Sequence, residues 1–132
     1  MHSHDPTFLG SLVAHLYHGL LMIEDPETEA VHESWDPSAE LVHAEHDSVY
    51  LAVQTFVDGP VFISVHRGSV DEVDELTEVF AGTLQLRPGE VVIHDSDDRA
   101  VLRVRGKRGD NPLTLLTDGS ERVARVMLIF GA

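Results

Sequence analysis

Between Glu78 and Gly106 the chain reads EVFAGTLQLRPGEVVIHDSDDRAVLRVRG, three short apolar runs separated by two turn signals. Phe80, Gly82, Leu84 and Leu86 share one parity, and Val79, Ala81, Thr83 and Gln85 share the other. A repeat of two belongs to a β-strand, whose successive side chains point to opposite faces. Arg87-Pro88-Gly89-Glu90 then reverses the chain, because proline presets a turn φ and glycine accepts a positive one. Val91 to Ile93 returns as a strand, Asp95 to Asp98 turns, and Ala100 to Arg105 forms a third strand. Leu102 and Val104 alternate there with Arg103 and Arg105. The pattern predicts an antiparallel meander with one wet face.

The rest of the chain follows the same grammar. Residues 1–7 read as a flexible tail. Phe8 to Ile23 is apolar and punctuated by glycine; its first part fits a short helix, and Leu16 to Ile23 fits a strand. Glu24 to Ser48 is a long acidic loop with room for one edge strand, and loops of that length are often functional or disordered. Val49 to Val57 and Val61 to Val65 flank Asp58-Gly59-Pro60 and read as a hairpin. Val70, Val73, Leu76 and Thr77 have helical spacing, so a helix of one or two turns or an acidic crossover loop fits there. Gly106 to Pro112 is a cationic turn, Leu113 to Thr117 a short strand, and Val123 to Phe130 a closing strand beside the core. No internal repeat is present. About eight antiparallel strands with glycine and proline turns predict an all-β fold, a two-sheet β-sandwich or jelly roll, over one domain spanning residues 1–132.

Composition narrows the classes of function. With no cysteine, disulfides, thiolate catalysis and cysteine-ligated metal sites are excluded. No apolar run approaches the roughly 18 residues of a membrane span, and the N-terminus lacks the cationic start of a secretory signal, so cytoplasm is the expected location. Charge is the most unusual feature, at −14. No Lys or Arg precedes Arg67, so residues 1–66 hold 11 carboxylates and no fixed cation. Such a surface repels nucleic-acid backbones and anionic membranes and attracts a basic protein.

Nine of the carboxylates lie between Glu24 and Ser48. Glu27, Glu29, Glu33, Asp36, Glu40, Glu45 and Asp47, with Trp35 at their centre, are the expected partner-binding residues. Trp35, the single tryptophan, either folds back as a lid on the sandwich or anchors a partner. Carboxylates in such polar runs are expected to be solvated. Nine histidines raise a second reading, a divalent metal held by His43 and His46 with others in a cupin-like barrel or a metal-dependent enzyme. Zinc needs three or four convergent ligands, and residues i and i+3 converge only on a helix. The turn RPGEVVIHD is similar to the proline-glycine turn of cupins, yet His66 and His94 have no neighbouring metal motif. Nucleophile-elbow, phosphate-loop and dinucleotide signatures are absent. Arg103, Arg105, Lys107 and Arg108 are expected to pair with the chain's own acids.

The segments VFAGTLQLRPGEVVIHD, AVLRVRGKRG and RVMLIF, with the opening YHGLLMIEDP, resemble a group of small bacterial β-sandwich proteins. The layout is also similar to the competence-protein-J group, some of which act as nuclease inhibitors. That resemblance implies a β-sandwich and transfers no catalytic residue. The leading expectation is a non-enzymatic protein-binding module without cofactor, an inhibitor or immunity-type protein that recognises a basic partner. A structural homo-oligomer, a homodimer joined through exposed strand edges, is the third reading.

Overall fold

A computed structural model describes residues 7–32, 35–36, 39–68 and 75–131. Ten strands run along it: β1 (Thr7–Ala14), β2 (Leu20–Glu24), β3 (Val42–Glu45), β4 (Ser48–Ala52), β5 (Val61–Arg67), β6 (Thr77–Leu86), β7 (Glu90–His94), β8 (Val101–Arg105), β9 (Gly109–Thr117) and β10 (Arg125–Phe130). They form two five-stranded sheets, ordered β1-β5-β10-β9-β6 and β3-β4-β2-β7-β8. All neighbours are antiparallel except β10 and β5, which run parallel. The expected all-β two-sheet sandwich is therefore found, and neither sheet closes into a barrel. No helix occurs among the described residues, and so none is long and apolar enough to cross a membrane.

Alternation builds the core. Val61, Ile63 and Val65 of β5 face inward, and Leu113, Leu115, Val126 and Leu128 extend that layer across β9 and β10. Leu21, Ile23, Val49, Leu51, Val91 and Ile93 answer from the other sheet. Packing two apolar inner faces is what drives a sandwich together. Gly82 serves this packing locally: a Cβ there would sit 2.7 Å from Phe80 Cζ, so the glycine leaves the ring its place beside the bulge at Glu78/Phe80.

The connections differ from the sequence reading. Strands β6 and β7 do not pair; β6 bonds β9 at the edge of one sheet, and β7 lies between β2 and β8 in the other. Arg87–Glu90 is thus a crossover between layers, and only β7 and β8 form the expected hairpin. The link from β4 to β5 through Gly59-Pro60 crosses in the same way. One apolar parity fits either sheet equally well, so alternation fixes which face is buried and leaves the sheet undecided. The helix option near Phe8 gives way to β1, which begins at Thr7, inside the segment read as a tail. Leu16 to Gly19 is a turn closed by Gly19 N on Leu16 O at 3.1 Å, so β2 starts only at Leu20. β4 ends at Ala52, well short of Val57, and β9 begins at Gly109, inside the predicted cationic turn. Most of the helix considered around Val70 lies outside the described residues; Thr77 opens β6.

Candidate partner-binding site

The second sheet turns a polar face outward, and the acidic loop lies across it. Register sets the rows. His43, Tyr50, Met22, His94 and Val101 align across β3, β4, β2, β7 and β8. The next row is Glu45, Ser48, Glu24, Val92 and Arg103. After β2 the described residues 25–32, 35–36 and 39–41 lie along this face as a strap, and the chain continues into β3, the edge strand anticipated within the loop.

Arg87 clamps the start of the strap. Its Nε donates to Asp25 Oδ2 at 3.0 Å, its Nη2 to Asp47 Oδ2 at 3.1 Å and to the Glu27 carbonyl at 2.7 Å. Its backbone N–H adds a bond to Asp25 Oδ2 at 2.9 Å. Glu27 N donates to Asp25 Oδ1, and Thr28 Oγ1 to Asp47 Oδ1, each at 2.7 Å. Burial pushes the Asp25 carboxyl up, but the hydrogen bonds from Arg87 and Glu27 outweigh it and hold the group below its ordinary value.

Further along, a chain of hydrogen bonds runs under the strap. Ser48 Oγ donates to Glu24 Oε2 at 2.6 Å, so it accepts from His32 Nε2 at 2.8 Å. His32, held neutral because burial lowers its pKa, must then accept at Nδ1 from His43 Nδ1–H at 2.8 Å. On the far side of Glu24, His94 Nε2 donates to Oε1 at 2.8 Å and His94 Nδ1 donates to Asp98 Oδ1 at 2.5 Å. Two carboxylate acceptors require both ring protons. The Glu24 bond, ahead of opposing burial and the Asp98 bond, accordingly raises the His94 pKa. His32 also stacks on Tyr50 at 3.6 Å, and Trp35 packs edge-on to Tyr50 at 5.7 Å while its Nε1 donates to the Glu40 carbonyl at 2.9 Å. The strap is thereby laid down by ring packing as well as by charge.

These two histidines predict pH effects of opposite sign. His94 keeps its proton where the unfolded chain sheds it, so its contribution is complete below 6.5 and fades as the pH rises. The unfolded chain protonates His32 below 6.5 where the folded chain resists, so that contribution is present above 6.5 and fades in acid. His94→Asn should therefore cost more stability at about pH 6 than at about pH 9, and His32→Asn the reverse. Urea unfolding of both variants at the two pH values checks this; equal penalties would refute the proton assignment.

The sequence-predicted residues fall into separate groups. Glu27, Glu29, Asp36, Glu40 and Glu45 are exposed, and Trp35 is half-buried. Glu29 and Glu45 line a cleft of about 270 Å³ together with His46 and Arg87. Asp47 is buried and turned toward Arg87 and Thr28. Glu33 lies outside the described residues. Solvation, expected of the acidic runs, fails for Glu24, Asp25 and Asp47, which are all buried. His43 joins His32, whereas His46 sits in the β3–β4 turn with Nε2 3.6 Å from Asp47 Oδ2. Among the described residues no group of three or more histidine and carboxylate side chains is placed to hold a metal ion. Of the arginine cluster, Arg103 pairs with Glu90 at 2.9 Å, as expected. The roles of Asp25, His32, Ser48, Arg87 and His94 escaped the sequence reading, which met Arg87 only as the start of a turn and His94 only as an isolated histidine.

No family model and no curated protein matches this sequence. Solved structures do. The fold is similar to that of ComJ from Bacillus subtilis, inhibitor of the DNA degrading activity of NucA, with a TM-score of 0.74 and 12% identity over 97% of this chain and 98% of that one. It is also similar to crocagin biosynthetic gene J, with a TM-score of 0.52 and 11% identity over 98% and 97% of the two chains. The likeness to the competence-protein-J group read from strand and turn pattern is thus present in three dimensions. At these identities it is a likeness of fold.

Proposed function

We propose that this chain is a non-enzymatic inhibitor that binds a basic protein, in the manner of a nuclease inhibitor, through the strap face of its second sheet. The observation that carries the reading is the division of labour among the carboxylates. Asp25, Asp47 and Glu24 are buried and hold the strap down, while Glu27, Glu29, Asp36, Glu40 and Glu45 remain exposed along it. A pinned acidic surface loses little conformational entropy on docking and steers a cationic partner toward it. The fold shared with ComJ, which inhibits a DNA-degrading enzyme, supports an inhibitor over a catalyst. Trp35, resting on Tyr50 amid Asp36 and Glu40, supplies an aromatic contact of the kind that concentrates binding energy.

The test is capture from a native lysate at low and high salt, followed by a DNA-degradation assay on the eluate. The expected result is a basic protein whose DNA-degrading activity falls when the purified chain is added back, and whose capture weakens with salt. A partner retained equally at both salts, or one without such activity, would overturn the reading.

A further inference from the structure

Each sheet ends in two edge strands, β1 and β6 in one, β3 and β8 in the other. An edge strand offers unpaired N–H and C=O groups to any chain that comes alongside, and natural sheets guard theirs with charge, proline or cover. Three of these edges are guarded. Glu78 stands on β6, Glu45 on β3, and Arg103 and Arg105 on β8, where Arg67 Nη2 also donates to the Arg105 carbonyl at 2.5 Å. β1 differs: it reads TFLGSLVA, with neither a charge nor a proline, and its one register shift, between Phe8 and Gly10, leaves Ser11 to Ala14 in regular pairing. Among the described residues its backbone bonds only β5.

The surface beside that edge is equally unusual. Strands β1, β5 and β10 contain no Asp or Glu, in a chain with 23 of them. Phe8 is 60% exposed, Val13 58% and Phe62 50%. Val13 and Phe62 stand opposite each other in the register and open onto a groove of about 290 Å³ shared with Ser11, Leu76, Arg125 and Met127. Two copies of a chain carrying −14 repel on most approaches. They meet with least repulsion where carboxylates are missing and apolar side chains are exposed, which is along β1.

We infer that a second copy of this chain docks on β1. The two β1 edges pair antiparallel about a twofold axis, joining the first sheets of both copies into one continuous sheet. Such a contact is self-complementary and closes, so it uses up the unguarded edge instead of propagating a fibre. It leaves the strap, on the outer face of the other sheet, free in both copies. The dimer and the inhibitor reading therefore stand or fall separately.

Sedimentation equilibrium of the full chain over a concentration series tests the inference. The expected mass rises from 14.6 kDa to twice that value with concentration. Val13→Glu and Ser11→Glu each bring two carboxylates close across the twofold axis and should weaken association at least about tenfold. Thr83→Glu, an equal charge on the exposed β6 edge, should leave it unchanged. Circular dichroism establishes that each variant is folded, and Ser11, already exposed, is the milder site if Val13→Glu is not. A single-chain mass at every concentration would overturn the inference, as would a dimer indifferent to both β1 substitutions.

Discussion

Alanine in place of Asp25 should cost about 3 kcal/mol of unfolding free energy and loosen the strap. The side chain is fully buried, and its two oxygens accept from Glu27 N, Arg87 N and Arg87 Nε. Alanine leaves those donors unsatisfied and removes one of the two carboxylates that fix the Arg87 guanidinium. Asn at this position keeps the shape and one acceptor oxygen, but it loses the charge and turns its amide NH2 toward one of these N–H donors, so most of the loss is expected. Because the folded pKa of Asp25 lies below 3.8, its contribution is present above that value and is lost as the pH falls through the folded pKa. Wild type and Asp25→Ala should therefore converge in acid. Urea unfolding at neutral and acidic pH measures the energies, and digestion with a glutamate-specific protease reads the strap. Faster cleavage after Glu27, Glu29 or Glu40 in the variant is expected. An unchanged unfolding midpoint would show that the clamp contributes nothing.

That clamp also marks the limit of what periodicity reveals. Strands announce themselves because alternation is local: Val61, Ile63 and Val65 declare their buried face without reference to any other residue. Fold class followed from those patterns and from the turn chemistry between them. Sheet membership did not, since Leu84 and Leu86 of β6 and Val91 and Ile93 of β7 show the same alternation while burying it from opposite layers. The Arg87-Pro88-Gly89-Glu90 signal is the same whether a chain returns beside itself or steps across a core.

The site was legible in position and obscure in mechanism. An acidic segment without cations, holding one tryptophan, pointed to residues 24–47. Which of its carboxylates face water depends on partners far away in sequence. Asp25 meets Arg87 across 62 residues, and Glu24 meets His94 across 70. Buried carboxylates are rare unless paired, and a single sequence shows the acids without the pairing. The histidines carry the same lesson. Their number suggested metal, yet His32 spends its nitrogens on Ser48 and His43, fastening the strap to the sheet beneath, and His94 spends its own on Glu24 and Asp98 within that sheet and its β7–β8 turn.

If the strap is the docking surface, the place of its charge should matter more than the amount. Replacing Glu27, Glu29 and Glu40 together by lysine changes the net charge from −14 to −8 and inverts the exposed face of the strap, leaving Asp25, Asp47 and Arg87 untouched. Binding to the captured basic partner should weaken about a hundredfold at low salt, because steering is lost and cation now meets cation. Lysine at Glu75, Glu78 and Glu121, all exposed and remote from the strap in sequence, brings the net charge to the same −8. That control should cost only a few-fold, the share owed to the long-range field. Stopped-flow association at two salt concentrations separates the effects: most of the strap variant's deficit should lie in the association rate and shrink as salt rises. Equal losses in the two triple variants would mean that the partner senses the molecule's overall charge, and the strap would then have no special claim to be its seat.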